Sequence, residues 1–83
     1  MLYQSTEMSE FFSDIRKERD RQEFLFNGRR NSLLKWMCIL SEEHGEVAMA
    51  ILDRDDENMY EELVQVAAVA VAWGEQLIRE REE

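Results

Sequence analysis

Glu43, Glu46, Glu62 and Gln65 are the side chains whose types and spacing could do chemistry in this chain. Glu43 and Glu46 stand three residues apart within "SEEHGEVAMAIL", and Glu62 and Gln65 repeat that interval within "EELVQ". On a helix, side chains three apart have their Cβ atoms about 5–6 Å from one another, so each pair can turn its oxygens toward one point. Carboxylate and amide oxygens are hard donors that select magnesium or manganese over zinc. An unpaired carboxylate among apolar side chains costs several kcal/mol, so acids sharing an apolar face call for a proton, a basic partner or a metal. The expected ligands are therefore Glu43, Glu46, Glu62 and Gln65 around one Mg2+ or Mn2+, with Glu42 one step round at the edge of the sector.

Three helices are expected to position these groups. The chain holds no proline and three glycines, so its breaks are read from polar clusters. "FNGRRN" contains the turn pair Asn27–Gly28, and "DRDDEN" is a run of short polar side chains that compete with helix backbone. Between them the pattern predicts helices over residues 7–26, 31–52 and 56–81. "VQVAAVAVAW" is rich in valine but continuous with helix-favouring sequence on both sides, and its length argues for helix. Turned at 100° per residue, the second helix places Trp36, Ile39, Leu40, Glu43, Glu46, Val47 and Ala50 in one sector. The third does the same with Met59, Glu62, Gln65, Val66, Val69, Trp73 and Leu77, and the first interrupts its Phe11, Phe12, Ile15 stripe with Glu18, Arg19 and Gln22. All three helices are polar in mid-stripe. Trp36 and Trp73 are expected in the core, His44 on the surface, and Gly45 at a close helix approach beside the site.

At 83 residues the chain is one all-α domain, residues 1–83, whose three helices form a bundle completed by oligomerisation. The third helix is apolar nearly all round and should lie against a partner chain, in a homodimer or homotetramer. Ten basic against nineteen acidic residues give a formal charge of −9, which repels nucleic acid and anionic membranes and favours divalent cations. No apolar run approaches the roughly 18 residues of a membrane span, and the start lacks a secretory pattern, so a cytoplasmic protein is expected. Cys38 lies among apolar neighbours in "KWMCIL" and should be a buried thiol. Lys35 near the start of the second helix, and Arg19 with Gln22 on the first, are candidates for contacting an anionic ligand.

"EEHGE", residues 42–46, followed after fifteen residues by "ELVQ", residues 62–65, resembles the signature EExxE then ExxD of the MazG-like nucleotide pyrophosphohydrolases, in particular the small phage and bacterial members of this all-α group. The resemblance runs over about residues 11–77. It implies an all-α oligomeric fold in which magnesium, held by the motif carboxylates, binds the phosphates of a nucleoside triphosphate. Water would attack between the α and β phosphates, giving the nucleoside monophosphate and pyrophosphate in nucleotide-pool housekeeping. Glu43 and Glu46 match the first ligand pair, Glu62 the first acid of the second motif and Glu42 the leading acid, so that Glu42 and Glu43 take the catalytic positions. Gln65 stands where the motif has aspartate, a neutral amide that still offers a carbonyl oxygen. The alternatives are a catalytically weak or silent relative that binds nucleotide, and an acidic helical protein that engages a basic partner.

Overall fold

A computed structural model describes residues 2–83 as three helices: α1 (Thr6–Phe26), α2 (Leu33–Leu52) and α3 (Asp56–Glu82). Each begins at a side-chain cap. Ser5, Ser32 and Asp55 accept from the backbone N–H of Met8, Lys35 and Asn58 respectively, which satisfies donors that the first turn leaves free. α1 ends where Asn27 takes a left-handed backbone, φ 47°, and Gly28 follows at φ 73°. Asparagine and glycine tolerate that region better than other residues, which is why the turn falls there. The expected helices are all present, each boundary within two residues of its expected place.

α3 is the central element. It packs against α1 along one stripe and α2 along another, while α1 and α2 do not touch each other. Toward α1, Val64 and Ala68 bury against Ile15, with Phe11 and Ala67 closing over them. Toward α2, Trp73 stacks on Trp36 with rings 6.2 Å apart and 6° from parallel. Gln76, buried on the same side, accepts from the Trp36 indole N–H at 2.9 Å and exchanges bonds with the backbone of Asn31. A glutamine that both donates and accepts ties the α1–α2 connection and the start of α2 to α3 without leaving a polar group stranded. The sector expected for α3 is the one facing α2; the second stripe, Val64 and Ala68, was not expected.

The shape is open, with a radius of gyration of 14.1 Å where a folded domain of this length has about 12 Å. No large side chain is fully buried. Two expectations fail here. Cys38 is exposed rather than buried, because it lies on the side of α2 that turns away from α3. A Cβ at Gly45 would meet nothing within 4 Å, so no close helix approach within the chain explains that glycine. Among the described residues, no helix is long and apolar enough to cross a membrane.

Candidate metal centre

Glu43 and Glu46 of α2 meet Glu62 of α3, one oxygen of each lying within 4.8 Å of the others. No other set of three His, Cys, Asp or Glu side chains converges in this way among the described residues. The helices bring them together for the reason read from the spacing: Glu43 and Glu46 are one turn apart on the side of α2 that faces α3, between Trp36 and Ala50, both buried. Glu43 and Glu62 are half-buried and Glu46 opens to solvent, so the cluster has an apolar back and a wet front.

The electrostatics are those of acids forced together. Burial, then the hydrogen bond and charge of Glu46, then the charge of Glu43 push the Glu62 carboxyl up to about 7. Burial first and the Glu46 charge second raise Glu43 as well. Glu62 Oε2 is fully shielded from solvent and has no hydrogen-bond partner. A buried carboxylate oxygen without a partner is rare in folded proteins, and three hard oxygen donors around it match the ligand set of a small divalent cation. The residues present therefore fit Mg2+ or Mn2+.

Gln65 sits beside this cluster with its amide directed at α1. Arg21 chiefly, then the amides of Gln65 and Gln22, hold the Glu18 carboxyl below its ordinary range against the effect of its own burial. Glu18 accepts from Arg21 at 2.7 and 2.9 Å and from Gln22 at 3.1 Å, and its charge also acts on Glu43. An aspartate at position 65 would set a second carboxylate against Glu18; a neutral amide donates to it instead. The departure from the motif thus has a physical reason in this chain.

Next to the carboxylates, and sharing Glu43 and Gln65 with them, a cavity of about 350 Å3 opens between α1 and α2 with α3 as its floor. Gln65, Ala72 and Arg79, seven residues apart along α3, form that floor. Trp36, Ile39 and Val69 give it apolar walls. Arg19, Arg21, Arg29, Lys35 and Arg79 all line it, half of the basic residues of a chain whose net charge is −9. Arg19 is spoken for: it donates to Glu75, Gln22 and Glu23 at 2.6–2.9 Å. Lys35 and Arg79 make no ion pair within 4 Å among the described residues, and Arg29 lies over the Phe26 ring at 5.0 Å.

Of the residues singled out in the sequence, Glu43, Glu46 and Glu62 come together, Gln65 adjoins them, and Arg19, Gln22 and Lys35 reach the cavity. Glu42 and His44 are exposed on α2, and Glu42 lies outside the carboxylate cluster. Arg79 was missed, although its seven-residue spacing from Ala72 and Gln65 put it on their face of α3. Comparison of the chain with protein-family models, with curated proteins and with solved structures finds no match to any of them.

Proposed function

We infer that the chain is a magnesium-dependent nucleoside triphosphate pyrophosphohydrolase, acting in the cytoplasm as a homodimer or homotetramer. The observation that carries this reading is the adjacency of two opposite environments: three carboxylates that suit a divalent cation, and a cavity lined by guanidinium and ammonium groups that suits a polyanion. A metal–triphosphate complex has both characters in one molecule. The resemblance of "EEHGE" and "ELVQ" to the MazG-like motifs supports the same reading.

Glu43, Glu46 and Glu62 would hold the ion, with manganese an alternative to magnesium, and Gln65 is placed to add an oxygen. When bound, such an ion neutralises phosphate oxygens and makes a bound water more acidic. The chain's own residues do the rest. Lys35 and Arg79, free of ion pairs, offer donors to phosphate oxygens, while Arg19 and Gln22 shape the wall that faces them. Glu43 belongs to both the carboxylate cluster and the cavity wall, so it is the acid positioned to take a proton from an attacking water. Glu42, at the solvent edge of the same turn, is the second candidate for that role. Water would add at the α phosphorus and the bond to the bridging oxygen of pyrophosphate would break, leaving the nucleoside monophosphate.

The test is release of pyrophosphate from a panel of ribo- and deoxynucleoside triphosphates with Mg2+ and with Mn2+. Metal-dependent release of pyrophosphate, rather than phosphate, is expected from at least one of them. Nucleotide binding without release across the panel would replace the enzyme by the silent nucleotide-binding relative.

A further inference from the structure

α2 is apolar on two opposite sides, and the chain covers only one. Trp36, Glu43 and Ala50 face α3; half a turn away run Leu34, Cys38, Ser41, Gly45, Ala48 and Leu52. These six are spaced 4, 3, 4, 3 and 4 residues apart, the seam pattern of two helices packed side by side, and all six are exposed. We propose that this seam is a homodimer interface in which α2 packs antiparallel against α2 of a second copy, crossing at Ser41 and Gly45.

Three features of the face commit it to a second copy of the same chain. The first is its size profile, which reads large, small, small, small, small, large. An antiparallel pair sets Leu34 against the partner's Leu52, Cys38 against the partner's Ala48 and Ser41 against the partner's Gly45, each pairing occurring twice by symmetry. Self-complementarity of that kind is what a two-fold interface requires. It also gives Gly45 a purpose that the single chain does not: small residues at the crossing let two helix backbones approach closely. The second is charge. In a chain of net charge −9, the seam itself carries no charged side chain, and only Glu42 and His44 flank its middle, one on each side. The acids of α2 that form the cluster point the other way, so a second copy can approach here without setting carboxylate clusters against each other.

The third is area. Leu34 and Leu52 are 75% and 74% exposed, and Leu33, Met37, Met49 and Ile51, beside them on the same helix, are 49–65% exposed. At about 100 Å2 for a whole large aliphatic side chain, these leave on the order of 400 Å2 of apolar surface, a size at which an exposed patch marks an interaction site. With the small residues and polar flanks between them, the face approaches the roughly 800 Å2 per partner of a stable dimer. This reading stands apart from the hydrolytic one, since each copy keeps its own carboxylate cluster and cavity.

Two variants test it without reference to activity. Gly45→Leu adds bulk at the crossing, where nothing inside the chain obstructs it. Sedimentation equilibrium should show a dimer for the unmodified chain and at least a tenfold weaker one for Gly45→Leu, with helical circular dichroism retained in both. Ala48→Cys tests orientation. Positions 38 and 48 on one helix are about 15 Å apart, too far for a disulfide within a chain, whose Cα atoms must lie within about 7 Å. Oxidised Ala48→Cys should therefore give a covalent dimer through Cys38, while the unmodified chain, whose Cys38 faces the partner's Ala48, should not. A monomer up to 100 μM, on the order of a weak dimer's dissociation constant, would assign the face to a different occupant and overturn the proposal. A dimer unchanged by Gly45→Leu, or equal crosslinking of the unmodified chain through Cys38, would overturn it as well.

Discussion

Two buried polar regions lie about one helix diameter apart, and they treat charge in opposite ways. Around Arg19, a cation that is 9% exposed, donors match acceptors: Nε donates to Glu75, Nη1 to Gln22 and Nη2 to Glu23. Around Glu62, three like charges converge, and one shielded oxygen has no partner at all. The Arg19 knot fastens α1 to α3 and requires nothing from outside. The carboxylate cluster is incomplete as it stands, and a cation is what its chemistry lacks. The comparison teaches that, of two buried polar clusters, the one left unsatisfied by its own chain is the one to suspect of a ligand.

If that distinction is right, truncation should separate activity from stability. Glu46→Ala should lower metal-dependent pyrophosphate release by at least about a hundredfold. Its metal-free melting temperature should stay level or rise, because one of three opposed charges is gone. Parallel loss of activity and of melting temperature would show that the cluster is structural. Arg19→Met should give the converse, lowering stability in urea titrations by about 2 kcal/mol, less than for a wholly buried pair because Glu23 and Glu75 are partly in water. A change under about 0.5 kcal/mol would mean that the knot fastens nothing.

pH sharpens the contrast further. In the folded chain Glu62 keeps its proton to about pH 7, whereas the unfolded chain releases it near 4.5. The folded state then binds more protons between those values, so metal-free stability should fall as pH rises through that window and level off above it. The whole fall should be about 2 kcal/mol, reduced from the full difference because three partly solvated carboxylates share the proton. Glu62→Gln should flatten the profile and saturating Mg2+ should reverse it; thermal unfolding from pH 4.5 to 8 measures both. A profile identical in Glu62→Gln would place the titration elsewhere. The smallest effect belongs to a satisfied pair at the surface. Tyr60 donates to Asp14 at 2.6 Å, and that bond chiefly pushes the phenol up to about 12. In Asp14→Asn, ultraviolet titration should bring Tyr60 back toward its ordinary 10.0, with little change in fold. No movement of the phenol would remove that contact between α1 and α3.

Local rules made much of this legible in the sequence. Caps, the Asn27–Gly28 turn and the short polar run after α2 set where helices start and stop, since backbone donors and left-handed residues act over a few positions. The interval of three in Glu43–Glu46, and the sector that Glu62 shares with Val69 and Trp73, fixed which acids could meet, because side-chain direction on a helix follows from 100° per residue. What periodicity leaves open is which neighbour takes which face. α3 carries two buried stripes, and its place between α1 and α2, which never touch, comes from packing among all three helices. That placement creates the cavity, brings Arg79 into it, aims Gln65 at Glu18 and leaves the far side of α2, with Cys38, in solvent. The sequence by itself determined the helices and the acids that could share an ion. Only the tertiary structure decided which basic groups stand beside those acids and which apolar face remains uncovered, because both depend on contacts between residues far apart in the chain.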